Sequence, residues 1–227
     1  MFAERDRPWL TFDCYDTLVR YSESKADALA DMVRGKGGAD AAVAAAQAAF
    51  EESEKELQLG PFQLLNVVLR KSLRCALDAV GLDVSEGDEE IMIEAVKTAE
   101  PFPEVMETLN DLKRDHRLAI LSNSEPDIIR HTTVRLGVAL DAVVLAYHAE
   151  CYKPAAGMFH TLLERIDVPP SEVTHIAQSF YHDMRAAKDV GIGRRVWINR
   201  YGRKGDPAYT PDAELSDLSG VRGVLEC

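Results

Sequence analysis

The strongest constraint on the fold of this 227-residue chain lies in its second half, where short apolar runs alternate with segments of helical periodicity. Residues 117–121, 142–146, 173–177 and 195–199 read as strands, the last being the final clear one. Residues 104–113, 127–136, a stretch ending near Ile166, and 183–190 read as helices. Runs this apolar have no wet face, which is the pattern of strands covered on both sides. The alternation therefore implies a parallel sheet with helices on both faces.

A similar run opens the chain. Trp9-Leu10-Thr11-Phe12 breaks off at Asp13 and passes into the polar turn Cys14-Tyr15-Asp16-Thr17, which puts Asp13 at the carboxyl end of a strand. Between it and the alternating region the pattern is helical throughout. A first helix near 26–34 ends at Gly35-Lys36-Gly37-Gly38, where glycine permits a left-handed turn. An Ala-rich second helix covers 39–59 and breaks at Gly60-Pro61, a third covers 62–80, and a fourth near 88–98 stops before Pro101-Phe102-Pro103. The expected architecture is α/β, a Rossmann-like parallel-sheet core formed by residues 1–20 and 101–227 with an all-helical cap, 21–100, inserted where it covers the carboxyl edge of the sheet.

Charge narrows the partners. A net charge of −12 repels phosphate backbones and anionic lipid, so neither nucleic acid nor membrane is expected as a partner. No stretch approaches the roughly 18 apolar residues of a spanning helix. The charged segment Met1–Arg7 lacks the apolar core of a secretory signal, and a cytoplasmic location is expected. Cys14, Cys75, Cys151 and Cys227 form no CxxC pair and no metal-like spacing, so reduced thiols are expected, with Cys14 a packed residue.

An acid after an apolar run is by itself as much a turn or helix cap as a catalytic group. Here four strand or loop ends bring polar groups to one edge, the edge where open α/β sheets bind ligands. They are Asp13 with Tyr15 and Thr17, Ser122 with Asn123, Lys153, and Asp183 with Gln178 and Ser179. Four such groups in this order are hard to ascribe to capping.

In order and position these motifs resemble the haloacid dehalogenase superfamily, over nearly the whole chain. Phe12-Asp13-Cys14-Tyr15-Asp16-Thr17-Leu18 is similar to the L-2-haloacid dehalogenase (type II) branch, because superfamily phosphatases carry a general-acid Asp where Tyr15 stands. They also carry a metal-binding Asp in the fourth motif, where this chain has Gln178-Ser179. Fewer carboxylates make a weaker site for a hard cation, and no cofactor or metal is expected.

The resemblance implies a hydrolase for a small anionic substrate. Asp13 attacks the α-carbon of a 2-halo acid, displaces halide and forms an ester, and water then frees a 2-hydroxy acid. Lys153 would keep Asp13 ionised by lowering its pKa, and Asp183 would pair with Lys153 and position the water. Ser122 and Thr17 would bind carboxylate oxygens and Asn123 the departing halide, with Tyr15, Gln178 and Ser179 completing the substrate site. The branch's cap arginine has no counterpart on the second helix; Arg20 and Arg70 are the candidates for its place, against the reading of each as an ordinary exposed Arg. Asp16 stands where the branch usually has Gly, Phe159 where it tends to have Tyr, and Phe180 in place of a water-holding Asn. His182, beside Asp183, is expected to be a solvated or packed residue, with assistance as a base the alternative. Two alternatives stay open: a magnesium-dependent phosphatase of the same superfamily, and a protein that binds a small anion without turnover. A homodimer is likewise open.

Overall fold

In the computed structural model, which describes residues 7–226, β1 (Trp9–Phe12) is buried at every position and lies inside a six-stranded sheet. The expectations for the N-terminal segment before Arg7 and for Cys227 fall outside the described residues. The other strands are β2 (Arg117–Ser122), β3 (Ala142–Leu145), β4 (Val173–Ala177), β5 (Arg194–Ile198) and β6 (Ala213–Leu215), in the order β3-β2-β1-β4-β5-β6. Every pairing is parallel. The chain steps outward from β1 through β2 to β3, then crosses to β4 on the other side of β1. That reversal is a topological switch point, where side chains at the carboxyl ends of the strands face a shared crevice. Register brings the ends together, since Phe12 lies opposite both Ile120 and Ile176. Asp13 extends the ladder by donating its N–H to the Ile176 carbonyl at 3.1 Å.

The chain divides into two compact units. One contains the sheet: the chain through Val19, Pro101–Asn123, and everything from Thr133 onward. The other is Arg20–Glu100 together with Ser124–Thr132, so the expected boundary at residues 20 and 101 leaves out this last segment. The helical unit holds α1 (Tyr21–Gly35), α2 (Asp40–Leu59), α3 (Leu65–Asp78) and α4 (Asp88–Lys97), in which α1 and α3 each pack against both α2 and α4. On α3 the residues Leu65, Val68, Leu69, Leu73, Ala76 and Leu77 are buried, the i, i+3, i+4 stripe of a core-facing helix. Ser124–Thr132 belongs here for a local reason. The buried Glu125 carboxylate accepts the backbone N–H and the side-chain amide of Asn66, at 3.3 and 2.6 Å, and so caps the first turn of α3.

The sheet unit's helices are α5 (Val105–Leu112), α7 (Ala146–Ala149), α8 (Ala156–Ile166), α9 (Ala186–Val190) and α10 (Val221–Leu225), while α6 (Pro126–Leu136) lies in the helical unit through Thr132 and in the sheet unit from Thr133. Three details differ from the sequence pattern. β6 is an additional edge strand of three residues, none of them buried, with no apolar run to announce it. The first helix begins at Tyr21, five residues earlier than its apolar periodicity. The helix expected from residue 183 starts at Ala186, because Phe180–Arg185 forms a wider turn in which the Met184 N–H reaches back five residues to the Ser179 carbonyl at 3.3 Å. Among the described residues no helix is long and apolar enough to cross a membrane.

Candidate active site

The carboxylate of Asp13 is held from two sides. Lys153 donates from Nζ to its Oδ1 at 2.8 Å, and Thr17 donates from Oγ1 to its Oδ2 at 2.6 Å. Thr17 in turn accepts the Gln178 N–H at 2.8 Å, so its proton and an acceptor position are both committed within the protein. Thr17 therefore fixes the Asp13 carboxylate, where the sequence assigned it to substrate. The turn that brings Thr17 back is tight: the Asp16 N–H bonds the Val19 carbonyl at 2.8 Å and Asp16 takes φ 60°. That left-handed conformation is cheap for Gly and tolerated by Asp, which gives Asp16 a turn role.

Lys153 also donates to the Leu121 carbonyl at 3.0 Å and to Asp183 Oδ1 at 2.6 Å, so one ammonium bridges both acids. Its loop is strapped by Asn123, whose side chain accepts the Lys153 N–H at 2.7 Å and donates to the Lys153 carbonyl at 3.2 Å. The Asn123 amide, expected to meet a halide, is engaged in placing the lysine. Ser122, the last residue of β2, is fully buried, and its hydroxyl has no hydrogen-bond partner among the described residues. The wide turn brings Asp183 fully inside the protein, where Oδ2 likewise has no hydrogen-bond partner among the described residues.

The charges are unevenly balanced, two carboxylates to one ammonium. Burial pushes the Asp13 carboxyl up; Lys153 pulls the other way, and the charge of Asp183 tips the result above the ordinary value. Lys153 thus lowers the Asp13 pKa as expected, but burial and the Asp183 charge together outweigh it. Burial acts upward on Asp183 too, but Lys153 and His175 outweigh it and hold that acid below its ordinary value. Burial opposes the charge on Lys153, and its two carboxylates more than offset it, so the ammonium lies above the usual lysine range. Cys14 is buried and its thiol is pushed well up, by burial first and the Asp13 charge second, which suits a packed neutral thiol and not a nucleophile.

The remaining expected residues are placed less centrally. Gln178 contributes main-chain groups, its N–H to Thr17 and its carbonyl to the Trp197 indole at 2.8 Å. Ser179 accepts the His182 N–H at 3.1 Å and lies 3.0 Å from His182 Nδ1, a cap for the turn. Phe180 stacks edge-on against Trp197 at 4.9 Å, an apolar filler at the position of the branch's Asn. Tyr15 is half-buried in the turn after Asp13. Arg20 and Arg70 belong to the helical unit, where Arg20 pairs with Glu23 and Arg70 with Glu89 and Glu90.

Two site residues escaped the sequence reading. His175, inside β4, places Nε2 3.0 Å from Asp183 Oδ1 and Nδ1 2.8 Å from the Thr11 hydroxyl on β1. The available signal was a polar residue inside each strand, Thr11 in the otherwise apolar β1 and His175 beside Thr174 in β4.

A family model for haloacid dehalogenase-like hydrolases matches residues 9–191. The chain belongs to this family. Among curated haloacid dehalogenase-like relatives, the (S)-2-haloacid dehalogenase of Pseudomonas sp. (strain YL) is 27% identical over 161 residues, 68% of each protein. The phosphoserine phosphatase of Thermus thermophilus is 31% identical over 123 residues, 53% of this chain and about half of the phosphatase, 49%. Among solved structures, the L-2-haloacid dehalogenase of Xanthobacter autotrophicus superposes with a TM-score of 0.83 over 97% of this chain and 98% of that one, at 21% identity.

Proposed function

We propose that this haloacid dehalogenase-like hydrolase is a metal-independent 2-haloacid dehalogenase that uses Asp13 as its nucleophile on small 2-halo acids. The observation that carries the reading is the Asp13–Lys153–Asp183 bridge at the carboxyl edge of the sheet, with Tyr15 in place of a general acid. In the first step an Asp13 oxygen bonds to the substrate α-carbon and halide leaves with the bonding electrons. Halide is a stable anion, so this step needs no proton donor. In the second, water adds to the Asp13 carbonyl carbon, its proton passing to Asp183. The bond from that carbon to the ester oxygen then breaks, the departing alkoxide takes the proton back from Asp183, and the Asp13 carboxyl gives up the remaining water proton to solvent, which releases the 2-hydroxy acid and restores the carboxylate. The buried Ser122 hydroxyl is the donor available to the substrate carboxylate.

The phosphatase relative keeps a second reading in view, a magnesium-dependent phosphatase. The donor set fits it poorly. Among the described residues no group of three or more His, Cys, Asp or Glu side chains is placed to hold a metal ion, and Gln178-Ser179 supplies no further carboxylate. Halide release from 2-chloropropionate, undiminished by chelator, is the expected result. Phosphate release from phosphomonoesters in its place, dependent on added magnesium, would overturn the proposal.

A further inference from the structure

The hydrogen bonds around Asp183 are asymmetric. Oδ1 receives both Lys153 Nζ and His175 Nε2, at 2.6 and 3.0 Å, while Oδ2 is buried without a hydrogen-bond partner among the described residues. A carboxylate only accepts, so Nε2 must carry the proton of that second bond. The other ring nitrogen, Nδ1, lies 2.8 Å from the Thr11 hydroxyl, which also faces the Thr174 carbonyl at 3.4 Å. Phe159 meets the ring edge-on, 5.1 Å between centroids at 77°, and both His175 and Phe159 are fully buried. The imidazole is thus fixed at each nitrogen and against its face. Rotating Asp183 about its carboxylate axis would break two charge-assisted bonds at Oδ1, so Oδ2 is the oxygen presented outward from the cluster.

We propose that His175 is a positioning residue for the ester-hydrolysis half of the reaction: with Thr11 it pins Asp183 so that Oδ2 takes the proton from the attacking water. This rests on the reading of Asp13 as an ester-forming nucleophile. It assigns Thr11 and His175 no part in ester formation, where Asp13 is held by Lys153 and Thr17. The two half-reactions should therefore respond differently to the same substitution.

The test is rapid-quench halide release and intact-protein mass on the full chain with 2-chloropropionate. His175→Leu should release one equivalent of halide in a burst within about twofold of the parent rate, then turn over about 10–100-fold more slowly with the Asp13 ester accumulating. His175→Gln, whose amide can still donate to Asp183, should restore much of the lost turnover, and Thr11→Val, which frees Nδ1, should fall between. Should His175→Leu fail to fold, the Gln and Val variants decide on the same readouts. The proposal is overturned if folded variants hydrolyse the ester as fast as the parent, or if burst and turnover fall together, as a merely structural role requires. A parent enzyme that forms no ester and releases no halide would instead sink the reading of Asp13, and the role of His175 with it.

Discussion

Each unit buries a lysine among carboxylates, and the two arrangements differ in one respect. In the helical unit Lys25 meets a single acid, Glu54, whose other oxygen accepts the Tyr21 hydroxyl at 2.6 Å; the Tyr21 ring lies 4.0 Å from the ammonium. Charge there sums to zero and both carboxylate oxygens are bonded. In the sheet unit Lys153 meets two acids, a negative charge is left over, and one oxygen of Asp183 has no hydrogen-bond partner among the described residues. A balanced buried pair ties helices together. An unbalanced one keeps a carboxylate poised to react, at some expense in stability, which is the pattern of a functional site.

The largest effects should separate the two clusters. Asp13→Asn removes the proposed nucleophile and should cut halide release at least about 10³-fold. It also leaves Lys153 with one acid, the Lys25 arrangement, so its denaturant midpoint should hold or rise; a fall would mean that Asp13 is structural. Lys153→Met leaves two buried carboxylates facing each other and should lose both turnover and about 3–5 kcal/mol in urea unfolding. Glu54→Gln strands the buried Lys25 ammonium and should cost about 3 kcal/mol with kcat unchanged. Lys25→Met with Glu54→Leu removes both charges and should recover most of that stability. A loss of kcat in these helical-unit variants would erase the distinction.

How far the sequence goes follows from the same physics. Asp13 was legible because it ends an apolar run, where an unpaired charge is expensive and a partner is implied, and Lys153 and Asp183 because they follow it in the order of the motifs. Their order carried the site, and the strand–helix alternation carried the sheet. Thr11 and His175 were not legible: their bond joins residues 164 apart, and the β1–β4 register alone places one opposite the other. The net direction of the Asp13 shift was not legible, because pairing with Lys153 was visible in the motifs while the depth of burial was not. The φ of 60° at Asp16 is a backbone property that its residue type permits but does not announce, and β6 is too short and too exposed to leave an apolar signature.

The pH profile tests the unbalanced cluster directly. The proposed attack needs the Asp13 carboxylate, and its proton is held above the ordinary carboxylate value of 3.8, chiefly by burial. Halide release should therefore rise with pH by about tenfold per unit along an acid limb whose midpoint lies above 3.8. Asp183→Asn removes the repelling charge and should shift that midpoint downward in burst kinetics. An unmoved midpoint would show that the two acids are uncoupled.

The smallest effect belongs to a third cluster, at the surface. Arg222 pairs with Asp111 and with Asp115, the latter at 3.0 Å with the Asp115 side chain 50% exposed. The Arg222 hydrogen bond outweighs the upward pull of partial burial, and with His116 holds Asp115 down to about 2. Because the folded-state value is lowered, this contribution is complete above the ordinary 3.8 and is lost as pH falls through about 2. Water and salt screen such a pair, so Arg222→Ala should cost no more than about 1 kcal/mol, measured by urea unfolding at neutral pH. The difference from the parent should shrink in high salt and toward pH 2, while kcat stays unchanged. Glu54→Gln, whose charges are shielded from ions, should keep its deficit in the same salt, so a deficit that vanished there as well would show that burial does not set the helical-unit pair apart from a surface one.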